Sequence, residues 1–125
     1  GVCNNNSWKS SLLSIRAGAD SKSDKEIGMI KFGLYVRLEA KPGKEADLEA
    51  FLQGALPLAQ EETGTPVWYA VKFGPQSYAI FDAFETDEDR GAHLNGPIAA
   101  ALMQHADELL STPPVIERWD ALAVK

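Results

Sequence analysis

The sequence predicts an α+β fold: one four-stranded antiparallel sheet with helices on a single face, two copies of which close into a barrel. Three observations lead there. The hydrophobic period changes along the chain from two to helical and back, in the order β-α-β-β-α-α-β over residues 30–125. With strand–helix–strand connections kept right-handed, that order places the helices on one face. The other face would then expose Tyr35, Arg37 and an alternating set drawn from Trp68, Tyr69, Phe81 and Trp119. A lone chain rarely leaves such a surface open, so a second copy is expected to cover it, giving a homodimer.

The elements follow in order. Residues 1–29 read as a loop-like extension or a partly docked arm, with Trp8 and the Leu12, Leu13, Ile15 patch between polar stretches and a natural start at Met29. Residues 30–40 alternate, with Phe32, Leu34, Val36 and Leu38 on one side and Tyr35, Arg37 and Glu39 on the other. Pro42-Gly43 turns the chain. A helix over 44–61 carries Leu48, Phe51, Leu52, Ala55, Leu56 and Ala59 on one stripe, with a kink at Pro57 and a stop at Gly64. Strands over 67–73 and 78–85 form a hairpin across Gly-Pro-Gln-Ser. Thr86, with Asp89 three residues on, opens a helix over 87–94. Asn95 or Gly96 caps the next helix, which has Pro97 at its first position and runs to Leu110. Ser111-Thr-Pro-Pro114 breaks it, and Val115–Val124 is the last strand, expected to help close the barrel.

Composition narrows the function classes. The 125 residues are 45% hydrophobic with net charge −6, a sign that disfavours nucleic acid and anionic membrane surfaces. No apolar run is long enough to span a bilayer, and the single cysteine, Cys3, cannot form an internal disulfide. The expectation is a cytoplasmic protein. No phosphate loop or dinucleotide fingerprint is present, so no nucleotide or flavin is expected. His105 does not pair with His93 at ligand spacing, so no metal is expected either.

His93 is the leading catalytic candidate, an imidazole able to take and return a proton near neutral pH. Its alternative use is to cap the short helix or bond a carbonyl. Asp82, a carboxylate in mid-strand, needs a partner. That partner is His93, or else Arg37 or Arg118 from the flanking strands. Trp68, Phe81, Phe84, Met103 and Trp119 are candidates to line an aromatic pocket, and Asn95 to touch a ligand, although core packing and helix capping are the commoner uses of such residues. If His93 is the base, it lies at the rim of a space between sheet and helices, and its removal should leave the fold nearly unchanged.

Leu34-Tyr-Val-Arg-Leu-Glu-Ala-Lys-Pro-Gly-Lys44, the Pro57…Glu-x-Gly64 helix end and Ala92-His-Leu-Asn-Gly-Pro97 resemble the corresponding segments of the antibiotic biosynthesis monooxygenase family. The resemblance spans residues 31–124 and implies a ferredoxin-like subunit of a dimeric α+β barrel. It implies a cofactor-independent monooxygenase that oxidises a small electron-rich aromatic (a hydroquinone, phenol or anthrone-like ring) with O2. The alternatives are a non-catalytic dimer binding a small aromatic or apolar ligand, or an isomerase on the same scaffold. Haem-degrading relatives use Asn, Trp and His where this chain has Val36, His93 and Met103, which disfavours haem chemistry. Quinol-oxidising relatives tend to carry a second histidine where this chain has Ile98.

Overall fold

The computed structural model describes residues 29–125. The expected extension, with Trp8 and the Leu12–Ile15 patch, lies outside them. Four strands, β1 (Phe32–Glu39), β2 (Val67–Lys72), β3 (Ser77–Phe84) and β4 (Val115–Asp120), form one antiparallel sheet in the order β2-β3-β1-β4. Four helices pack on one side: α1 (Glu45–Gly54), α2 (Leu56–Glu61), α3 (Asp87–Leu94) and α4 (Pro97–Leu109).

Alternation decides which face each strand residue takes. In β1, Leu34, Val36 and Leu38 are buried under the helices, opposite Asp82, Ile80 and Tyr78 of β3. Val36, Leu38, Ile80 and Tyr78 meet Leu48 and Leu52 of α1 and Leu102, Ala106 and Leu109 of α4 in one core. Ile98, Leu102, Ala106 and Leu109 recur at helical spacing, so a single stripe of α4 is buried while Met103, one residue off it, stays 58% exposed. The single helix expected over 44–61 is two. α1 ends at Gly54, and Pro57 sits in the first turn of α2, where its missing N–H costs nothing. The Pro42-Gly43 turn places Gly43 at a φ of 89°, the left-handed region that glycine enters freely.

The face without helices carries an aromatic row. Phe81 stacks between Tyr69 and Trp119, with ring centroids 6.3 and 5.1 Å away. The Trp119 indole lies flat on Gly33, where a Cβ would come within 1.9 Å of its ring. The last strand is shorter than expected. β1 begins at Phe32, whose register partner is Asp120, so beyond Ala121 N–H, which donates to Lys31 O, β4 has no neighbour to pair with. Residues 121–125 instead form one wall of an apolar cleft of about 560 Å3 that includes Ile30, Phe81 and Trp119. No described helix is long and apolar enough to cross a membrane.

Candidate functional site

Asp82, His93 and Glu62 meet where β3, α3 and the end of α2 come together. Asp82 takes the helix-facing side of β3 because its strand parity matches that of Ile80 and Phe84, and it is fully buried. The Thr86 hydroxyl accepts from Asp89 N–H at 3.0 Å and so starts α3. Arg90, paired with Asp87 on the same helix, fastens α3 to the sheet through the carbonyls of Gly33 and Trp119 and the Phe32 ring. Almost two turns past the cap, His93 then points inward and is 7% exposed.

The imidazole is held on both sides. Nδ1 is 2.6 Å from Glu62 Oε1, and Nε2 is 2.9 Å from Asp82 Oδ2. The second contact is at ion-pair distance but lacks the alignment of a good hydrogen bond. Glu62 Oε1 also accepts from the Thr65 hydroxyl at 2.8 Å, while Oε2 is buried without a hydrogen-bond partner. The Phe84 ring covers the imidazole at a centroid distance of 5.5 Å. Burial alone would pull the His93 pKa down, but Asp82 and then Glu62 outweigh it and raise the value above the ordinary one. Burial pushes the Asp82 carboxyl up, only partly offset by His93, and nearby Glu62 adds to the rise.

Arg37 and Arg118 are not the partners of Asp82. Arg37 lies on the opposite face, opposite Ala79, and Arg118 stands two strands away on exposed β4. His93 does not border an internal ligand space. Phe84, Leu34 and Ile98, each at most 2% exposed, occupy the region between sheet and helices. It opens instead on an external cleft of about 340 Å3, shared with Glu62, Gly64, Asp89 and Gly96. The imidazole is thus enclosed by two carboxylates.

The aromatic candidates separate. Phe84 alone touches His93. Trp68, the register neighbour of Asp82, packs against Ala55, Ala59 and Ile98 and lines a second cleft beside Glu62. Phe81 and Trp119 lie on the far face of the sheet, and Met103 borders a surface groove with Lys41 and Pro114. Asn95 follows α3 as its cap, its Nδ2 donating to Gly91 O at 3.0 Å. Glu62 is not among the residues that the sequence singles out for chemistry. Its one signal there is the Glu-x-Gly that ends the first helical segment.

A scan of protein-family models found no match, and a search of curated protein sequences found none either. Solved structures do match. A protein of unknown function from Nitrosomonas europaea is 59% identical, with a TM-score of 0.76 over 78% of this chain and 94% of that one. Two proteins described as candidate antibiotic biosynthesis monooxygenases share the fold at lower identity. The one from Nitrosomonas europaea is 14% identical, with a TM-score of 0.67 over 74% of this chain and 99% of its own. The one from Caulobacter crescentus is 18% identical, with a TM-score of 0.66 over 82% and 99%. The chain belongs to one family with the Nitrosomonas europaea protein of unknown function, and its ferredoxin-like α+β fold is that of the antibiotic biosynthesis monooxygenases.

Proposed function

We propose that the chain works as a homodimer that binds a small electron-rich aromatic, such as a hydroquinone, phenol or anthrone-like ring, and oxidises it with O2 without a bound cofactor. The observation that carries this reading is the line Asp82–His93–Glu62, which runs from the buried sheet to the cleft side of the helices. Glu62 is the member that reaches the surface, with its side chain 18% exposed. It accepts the proton of a substrate hydroxyl or methylene and shares it with His93 Nδ1. Above its raised pKa the His93 ring is neutral and takes up this proton, and the resulting imidazolium lies between two carboxylates, which compensate its charge. Asp82 faces the other ring nitrogen at ion-pair distance and holds the imidazole in place. The substrate anion passes an electron to O2. For an anthrone-like methylene the net change is CH2 to C=O: one oxygen atom enters the substrate, and the other leaves as water with the two hydrogens.

Glu62→Gln keeps an acceptor for the Thr65 hydroxyl but removes the base. It should lower oxygen uptake with an anthrone-like or hydroquinone substrate by about a hundredfold. Undiminished uptake per folded molecule would reject the reading. The dimer is supported by the Tyr69–Phe81–Trp119 row on a face that no helix covers. Light scattering at micromolar concentration should give twice the chain mass, and a monomer would remove this part.

One observation favours a second reading, a non-catalytic binding protein. Both ring nitrogens of His93 are already engaged, so the triad can serve as a tie between layers. In that case no hydroquinone or anthrone-like compound is turned over, and Glu62→Gln changes only stability.

A further inference from the structure

Of the eight residues of α3, the only ones buried are Arg90 and His93. Leu94 is partly covered and Ala92 is exposed, so α3 has no fully buried apolar side chain to anchor it on the sheet. Its seat comes from the two polar ones. Resting on the reaction at Glu62 and His93, we propose that Arg90 is a positioning residue for it. Arg90 holds α3 where the His93 ring can face Asp82 and Glu62 together, and so governs how readily that ring takes the proton.

The guanidinium occupies a fixed seat, with its side chain 9% exposed. Nη1 donates to Gly33 O at 3.3 Å and to Trp119 O at 3.2 Å. Nε and Nη2 both donate to Asp87 Oδ1, at 3.1 and 2.8 Å. The central carbon lies 5.1 Å from the centre of the Phe32 ring. Only a planar fork meets acceptors on two sides while it stacks on a ring, and a lysine ammonium does not reproduce this. Gly33 and Trp119 are register partners across β1 and β4, and Gly33 adjoins Leu34, the register partner of Asp82. Arg90 therefore sets the position of α3 from the strand beside the one that carries Asp82. His93 follows three residues later on the same side of the helix, so a displacement at Arg90 is passed on to the ring. The ring is sensitive to it, because its two carboxylates come from separate elements, Asp82 on β3 and Glu62 at the end of α2. These two groups are what raise its proton affinity against the pull of burial. The Thr86 cap, by contrast, bonds to Asp89 N–H within α3 itself.

The test follows the imidazole C–H signals of the two histidines through a pH titration of the full chain, the His105 signal being identified by its loss in His105→Gln. Arg90→Lys keeps the charge but not the fork, so the His93 titration should move down from its raised position toward the ordinary one. Arg90→Gln should lower it too, whereas a cation that acted on the ring only through space would, once removed, raise it. Thr86→Ala weakens the start of α3 but leaves the Arg90 seat, and His93 should titrate as in the wild type. Phe32→Leu removes the ring beneath the guanidinium at constant charge. It should move His93 the same way, and it takes over if the Arg90 variants do not fold. In folded Arg90→Lys, the acid limb of oxygen uptake with hydroquinone should move down with His93. Above that limb, kcat should fall roughly tenfold with KM little changed. An unmoved or raised His93 titration in the variant that folds, or an equal fall in Thr86→Ala, overturns the proposal. Oxygen uptake by the wild type with an unmoved His93 in the variants would spare the reaction and remove the role of Arg90. A lowered His93 titration with no oxygen uptake by any form would spare the role of Arg90 and remove the reaction.

Discussion

His93→Ala should destabilise the protein by an amount that shrinks as the solution is acidified. Asp82 is 0% exposed, and its register neighbours are Leu34 and Trp68, so no cation replaces the lost imidazole. Breaking a buried pair from one side costs about 3–5 kcal/mol. The carboxyl has an escape, which is to take up a proton. At about 1.4 kcal/mol per pH unit, neutralising a carboxyl whose ordinary value is 3.8 costs about 3.7 kcal/mol near pH 6.5 and about 1.6 kcal/mol near pH 5. The wild type gains little over that interval, because its raised His93 is already charged when folded. The vacated imidazole volume adds a penalty that does not depend on pH. Urea unfolding followed by circular dichroism should therefore show a loss of about 4 kcal/mol or more near pH 6.5, smaller by about 2 kcal/mol near pH 5. Asp82→Asn combined with His93→Gln should recover most of the pH-dependent part. An equal loss at both pH values, or one below about 1 kcal/mol, would refute the buried-pair reasoning.

Two further outcomes are expected. The folded pKa of His93 lies above its unfolded value, so the stabilisation from its charge is fully present below about 6.5 and is lost as pH rises through the folded value. The raised Asp82 acts in the same direction, its cost growing as pH climbs above 3.8. The wild-type urea midpoint should thus fall on going from mildly acidic to alkaline solution, and His93→Gln should flatten the alkaline part of that fall. Thr86→Ala removes the hydroxyl that accepts from Asp89 N–H and should cost about 1 kcal/mol without altering oligomeric state, as read by thermal melts and light scattering.

The fold was legible because its signals are local. Alternation in 32–38, the Thr86 cap and the Pro97 helix start each depend on neighbours within a few residues, and the described chain has them where the pattern places them. The end of β4 was not legible, since strand length there is set by where β1 begins, some ninety residues earlier. Two of the three groups of the candidate site were also readable. Asp82 and His93 are eleven residues apart and joined by one strand-to-helix turn, so their meeting follows from local geometry. Glu62 reaches His93 from a different helix across 31 residues, and in sequence it is one acid among the 18 in the chain. The split of Trp68 and Phe84 from Phe81 and Trp119 could have been read from strand parity, because residues on opposite sides of a pleat cannot line one pocket.

Asp82–His93–Glu62 also has a consequence for how the helical layer finds its seat. Apolar side chains tolerate sliding: a helix displaced by one residue along a greasy surface still buries much the same area. A charged triad does not. If α3 docks one residue out of place, the imidazole turns away and Asp82 is left sealed under the helices without its counter-charge. The three groups therefore act as a key with one setting. They penalise mis-seated arrangements of α3 more than they strengthen the correct one, and a chain carrying both Asp82→Asn and His93→Gln could be as stable as the natural protein yet less selective in how its helices settle.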